Sequence, residues 1–144
     1  MLLARIVAAG SAALVLAGCA TASDDPGLDA LRREANQLVP ASSEVVDTRE
    51  GACVQVTGNP VCVRLYLAAD LPERRRADEL ERTARAAGWE VVSRTRLADG
   101  TAIELRREGY RAYAAVWGEP RAAPCRAGRP DRDCADEIQV LEAP

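Results

Sequence analysis

The cysteines carry the most definite chemistry in this sequence. Cys53, Cys62, Cys125 and Cys134 form two couples, each nine positions apart. In an exported small domain an even set of thiols points to disulfides, and four cysteines allow three connectivities. The spacing favours Cys53–Cys62 and Cys125–Cys134. With Thr57-Gly58 at the centre of a hairpin turn, Val54 faces Val61, Gln55 faces Pro60 and Cys53 faces Cys62. Cysteines and valines then fall on opposite faces, as period-two alternation requires, and opposed Cβ atoms lie within bridging range. The second couple staples a stretch containing Pro124, Gly128 and Pro130, residues with little propensity for regular structure. Each short closed loop contributes on the order of 2–3 kcal/mol. A four-cysteine zinc site would bring closely spaced CxxC-type pairs, and redox catalysis would need a CxxC; the spacings here are too wide for either.

What the chain lacks narrows its chemistry further. All 19 basic residues are arginine, and lysine, histidine and phenylalanine are absent. Ser-His, Cys-His, Ser-Lys and Schiff-base arrangements cannot be assembled without His or Lys, and zinc sites with histidine are excluded. Only carboxylates remain for catalysis. A small carboxylate hydrolase acting on wall glycan would need two acids across a cleft, which a chain of this size rarely builds, so no catalytic residue is assigned and the chain reads as a non-enzyme. Asp131, Asp133, Asp136 and Glu137 crowd the second cysteine loop. A calcium loop wants six or more oxygens and a fixed glycine; Arg129 and Arg132 interrupt this cluster and Gly128 lies outside it, so a solvated loop is expected. No metal or cofactor is called for.

Binding chemistry is better represented. Arg64, Tyr66, Arg111, Tyr113 and Trp117 form the candidate patch. On one strand, Arg111, Tyr113, Ala115 and Trp117 share a face, opposite Tyr110, Ala112, Ala114 and Val116. If the Tyr110 face packs inward, Tyr113 and Trp117 are left exposed beside Arg64 and Tyr66, a surface suited to a glycan or a protein partner. If the other face packs inward, the aromatics lie under the first helix. The run Arg74-Arg75-Arg76 could meet anionic headgroups, but Arg74 and Arg75 have acidic residues one helical turn on, which reads as a solvated helix face.

At the N-terminus, Arg5 precedes thirteen uncharged, largely apolar residues, Ile6 to Gly18. That is the layout of an export signal, too short for a comfortable membrane span. Leu16-Ala17-Gly18-Cys19 resembles the lipobox of bacterial membrane lipoproteins. The resemblance covers residues 1–19 only. It implies that the Cys19 thiol receives a diacylglycerol, that signal peptidase II cuts before Cys19, and that the new amino group is often acylated as well. Two or three acyl chains give stable anchorage, at about 0.8 kcal/mol per buried methylene. Ala20 follows the cysteine in place of the aspartate that retains enteric lipoproteins at the inner membrane. The implied location is therefore the outer membrane of a two-membrane cell, or the outer leaflet of a one-membrane cell. Without Arg5 the mature chain has 18 arginines against 22 acids, a net charge of −4, which gives no reason to expect nucleic-acid binding.

These residues need elements to hold them. Residues 1–18 are the signal, 19–25 the lipidated N-terminus and tether, and 26–144 one domain. Fully extended, Ala20–Asp24 spans roughly 15–20 Å, which keeps the domain near the membrane. Asp25-Pro26 starts a helix carrying Leu28, Leu31, Ala35 and Leu38, and Pro40 ends it. Strands are expected at 44–49, 53–57 and 61–68. A second helix follows a capping box at Asp70–Glu73, with a stripe of Ala77, Leu80, Ala84 and Ala87 and a stop at Gly88. Four charge pairs are expected along it, Arg74–Asp78, Arg75–Glu79, Asp78–Arg82 and Glu81–Arg85. Trp89 should fill the helix-to-strand corner. Strands at 89–97, 101–107 and 110–117 form a meander through Asp99-Gly100, and a last strand covers about 137–141. The order predicts an α+β fold: an antiparallel sheet of five to six strands, two helices on one face, and two disulfides. Function is read as an envelope-anchored binding or accessory module, with an envelope protein as the expected partner and a structural subunit of an envelope assembly as the alternative.

Overall fold

The computed structural model describes residues 25–53, 56–122, 125 and 133–144. The signal, Cys19, the tether up to residue 24, Val54, Gln55 and Asp131 lie outside the described residues.

The chain runs α1 (Pro26–Gln37), β1 (Ser43–Ala52), β2 (Val61–Ala69), α2 (Glu73–Ala86), β3 (Glu90–Leu97), β4 (Gly100–Arg107), β5 (Tyr110–Arg121) and β6 (Cys134–Glu142). The strands make one antiparallel sheet in the order β1-β2-β6-β5-β4-β3. The last strand thus inserts between the two strand groups and leaves β1 and β3 as edges.

Local chemistry explains the helices. The Asp25 carboxylate accepts the Gly27 N–H at 2.9 Å, and Pro26 occupies the first turn, where its missing donor costs nothing. α2 ends in a Schellman motif: Trp89 N–H donates to Ala84 O at 2.9 Å and Gly88 N–H to Arg85 O at 3.1 Å, with Gly88 at φ 84°. That turn delivers Trp89 into the core at 3% exposure. The start of α2 differs from the capping-box expectation. Pro72 occupies the cap position and no side chain caps the helix. Glu73 instead accepts a hydrogen bond from Thr101 Oγ1 at 2.7 Å, because β4 passes beside the first turn.

Cross-strand register sorts the residues into two faces. Val63, Val140, Ala112 and Leu105 lie in one row, and Leu65, Ile138, Ala114 and Ile103 in the next. Leu31, Ala35 and Leu38 of the α1 region and Ala77, Leu80 and Ala84 of α2 close over these rows. Burying one such Leu or Ile stabilises the fold by about 1.5–3 kcal/mol. The Tyr110 face of β5 is therefore the inward one, and both helices lie on the same side of the sheet.

β1 is one strand, Ser43–Ala52, where two were expected at 44–49 and 53–57. Glu50 and Gly51 continue the ladder opposite Val63 and Cys62. The hairpin register is two residues off the expectation: Gly51, not Cys53, pairs with Cys62. Since a slip of two keeps every side chain on its face, Cys53 still reaches Cys62, with Cα atoms 5.0 Å apart. Of the four charge pairs expected on α2, only Glu81–Arg85 forms, at 3.9 Å. Asp78 turns to Arg94 of β3 at 2.7 Å, because α2 packs beside that strand.

Candidate functional site

The side of the sheet opposite α1 and α2 holds the candidate site. Its rows read Arg106, Arg111, Leu141, Cys62; then Glu104, Tyr113, Gln139, Arg64; then Ala102, Ala115, Glu137, Tyr66. All five residues of the sequence-derived patch therefore lie on this face. The reading that placed Tyr113 and Trp117 under the first helix is overturned.

Exposure is uneven across the patch. Tyr66 is 3% exposed and Trp117 8%, so neither is the open platform that an uncovered strand face would give. The reason is the second disulfide. Cys125 and Cys134, with Cα atoms 5.6 Å apart, pack with Val46, Tyr66, Ala68 and Trp117 into a small apolar cluster on this face. The first disulfide does the same at the other end, where Cys53, Cys62 and Leu141 are joined by Val56 and Tyr113. The two staples thus anchor cover over two separate parts of one sheet face.

Between these clusters the surface sinks into a groove of about 750 Å³. Ala102 and Ala115 form its floor, Tyr113 with Val56 and Thr57 one wall, and Trp117 with Leu97 and Arg121 the other. Gly100 pairs with Trp117, and a Cβ there would lie 2.2 Å from Val116 O, so the β3–β4 hairpin approaches β5 more closely than a side chain permits. The Arg121 guanidinium stacks 4.6 Å from the Trp117 ring and donates to Asp99 at 2.6 Å. In the same way Arg49 lies 5.1 Å from the Tyr66 ring and donates to Asp47 at 2.9 Å. Tyr66 and Trp117 are each capped by an arginine, whereas no arginine covers Tyr113 among the described residues.

Glu137 sits at the inner end of the groove, half-buried. Burial pushes its carboxyl above the usual range, and the nearby Arg64, Arg49 and Arg121 charges only partly oppose that. Burial likewise raises the Tyr66 phenol, helped by Glu137. Arg111 stands exposed at the groove mouth, and Arg64 lies beside the groove with Nε buried and without a hydrogen-bond partner.

Among the described residues, the acidic cluster is divided: Asp136 and Glu137 point to opposite faces, Asp136 toward α2 and Glu137 into the groove, and no group of three metal-ligating side chains gathers. Asp136 instead meets Arg76, the third residue of the arginine run. Arg76 is 3% exposed; its guanidinium donates to the Asp136 carboxylate and to the carbonyls of Leu71 at 2.8 Å, Ala135 at 2.7 Å and Trp117 at 2.6 Å. Ala135 and Trp117 flank the interval in which β5 and β6 skip register, between Val116 and Arg121. Arg76 thereby satisfies carbonyls that the ladder leaves over. Burial raises the Asp136 carboxyl to about 6 against the opposing pull of Arg76. The sequence held a signal for this pair: Arg76 lies on the line of Leu80 and Ala84 at i,i+4 spacing, with leucine and not an acid four residues on. Arg121, Val56 and Ala102 gave no comparable signal, since their roles arise only where strands distant in sequence meet.

No family model matches this chain, and no curated protein or solved structure matches it.

Proposed function

We propose that this chain is a lipid-anchored extracytoplasmic module that binds a component of the bacterial envelope, and that the groove on the sheet face opposite α1 and α2 receives it. The lipobox-like Leu16–Cys19 supports the anchorage, and the two disulfides agree with an oxidising compartment. One observation carries the binding reading: the sheet face opposite α1 and α2 is shaped into a 750 Å³ groove by two disulfide-anchored clusters, instead of being left flat and charged. Concave sites of this size that hold a few placed polar groups are the usual form of ligand sites. The carboxylate hydrolase reading has less support. Asp99 is engaged by Arg121, which leaves Glu137 as the one acid of the groove without a salt-bridge partner among the described residues. A structural subunit of an envelope assembly is the second reading. It draws on the edge strand β3, exposed along most of its length, with Val92 44% and Leu97 49% exposed.

Two measurements test the proposal. Intact mass spectrometry of membrane-extracted protein should give an N-terminus at Cys19 carrying acyl mass, and Cys19→Ser should accumulate as uncut precursor. Normal processing of that variant would overturn the anchorage. A photocrosslinking residue placed in cells at position 111, at the groove, or at position 82, on α2, tests the site. Adducts from 111 and not from 82 support the groove. Equal labelling from both positions, or none from either, overturns it.

A further inference from the structure

Resting on the groove as the binding site, we infer that its ligand is a short, uncharged saccharide whose ring stacks on Tyr113 between Arg111 and Glu137. Charge balance is the first argument. The groove is lined by two acids, Asp99 and Glu137, and two arginines, Arg111 and Arg121. Asp99 and Arg121 neutralise each other at 2.6 Å. Of the charged groups, what remains is one donor, the Arg111 guanidinium, and one acceptor, the Glu137 carboxylate, neither in a salt bridge among the described residues. A cation would meet Arg111, and beyond Glu137 also Arg64; an anion would meet Glu137. A hydroxylated ring suits both groups, because each hydroxyl donates to a carboxylate and accepts from a guanidinium.

Geometry supplies the second argument. Arg111 precedes Tyr113 by two residues on the same face of β5, and Glu137 pairs with Ala115, two residues beyond Tyr113. The free donor and the free acceptor therefore lie on either side of the one aromatic ring on this face that no arginine caps. Ala102 and Ala115, opposite each other, keep the floor clear. A pyranose presents an apolar C–H face that can lie on a ring and hydroxyls around its rim, which is the pattern of this groove.

Size and backbone chemistry separate this ligand from a protein. A protein partner usually covers about 800 Å² per side, whereas the groove is a half-open hollow of about 750 Å³, the size of a small-ligand site. An extended peptide is normally held by main-chain hydrogen bonds at a sheet edge. Here the floor positions Ala102, Tyr113, Ala115 and Glu137 lie on interior strands and are paired with a neighbour on both sides, so their side chains and not their main chain address a ligand.

The test uses the full mature lipoprotein in nanodiscs, titrated calorimetrically with uncharged trisaccharides of glucose, galactose, mannose and N-acetylglucosamine, and with an uncharged tetrapeptide as control. At least one trisaccharide should bind saturably. Tyr113→Ala and Glu137→Gln should each weaken it about ten-fold or more, while Tyr113→Phe, which keeps the ring, restores most of the affinity. Thermal melts of each variant identify any loss that comes from unfolding. No binding by any of these sugars below roughly 10 mM, an affinity weaker than ordinary specific recognition, overturns the inference. Binding that survives both Tyr113→Ala and Glu137→Gln overturns it as well, as does preference for the peptide. If the sugars fail while position 111 still crosslinks selectively in cells, the saccharide falls and the binding module stands. If both fail, both fall.

Discussion

The two faces of the sheet are built on opposite principles, although the same six strands supply both. On the helix side, Leu, Ile and Val rows meet the apolar stripes of α1 and α2, and two buried charges, Asp136 and Arg76, meet each other. On the other side, charged and aromatic residues alternate with alanine and glycine, and the cover comes from two disulfide-anchored clusters in place of helices. A helix covers a face evenly, because its stripe is continuous. Two separate staples cover it in patches and leave a hollow between them. The helix side therefore carries the greater share of stability, while the stapled side keeps surface available for a ligand.

The sharpest way to break this division is to attack the buried ion pair. Arg76→Met should cost about 3–5 kcal/mol in urea unfolding, because it leaves a buried carboxylate and left-over carbonyls without their donor. A loss below about 1 kcal/mol would show that Arg76 is not the keystone of the helix side. Asp136→Asn should cost much less, since Arg76 keeps its three carbonyls.

Replacing Cys125 and Cys134 together by serine should lower stability by about 2–3 kcal/mol and red-shift the emission of Trp117, whose cover includes that disulfide. Replacing Cys53 and Cys62 should cost a similar amount with little change at Trp117, because that staple packs near Tyr113 instead. If both double variants shifted Trp117 alike, the face would be a single cooperative cover and not two patches.

A pH series sharpens the comparison further. The folded chain binds the Asp136 proton more tightly than the unfolded chain does, with a carboxyl raised from 3.8 to about 6. On this account stability is greatest below the unfolded value and falls as pH rises through about 6. Asp136→Asn should flatten that part of the melting-temperature profile, and an unchanged profile would remove Asp136 as its source. Arg111→Ala should do least to the fold, within about 0.5 kcal/mol, because Arg111 is exposed and makes no salt bridge among the described residues. Its expected effect is on ligand binding alone.

Much of this was legible because it is local. Periodicity fixed α1 by Asp25, Pro26 and the Leu31–Ala35 stripe, and placed Gly88 and Trp89 at the end of α2. It marked the β3–β4 hairpin one residue late, since the turn is Ala98-Asp99 and Gly100 already pairs with Leu97. The equal spacing of the cysteines pointed to both disulfides. The five patch residues were grouped as a candidate surface by alternation along their strands. Burial of the aromatics was foreseen only under the first helix, whereas the cover of Tyr66 and Trp117 comes from the second disulfide cluster. Alternation says which residues share a face, but not what lies over it. Charge pairing on α2 misled for a related reason: Asp78 had Arg74 and Arg82 within one turn, yet β3 offered Arg94 from outside the helix.

By itself the sequence determined the elements, the disulfide couples, the lack of histidine and lysine chemistry and the lipobox-like leader, because each is carried by neighbours or by composition. Only the tertiary structure decided that β6 inserts between β2 and β5, bringing Glu137 beside Ala115 and Tyr113. The same insertion sets Asp136 against Arg76, sixty residues away in the chain. Pairings of that kind depend on which strands become neighbours across the whole sheet, and that choice is made by the joint burial of distant rows, which no local pattern encodes.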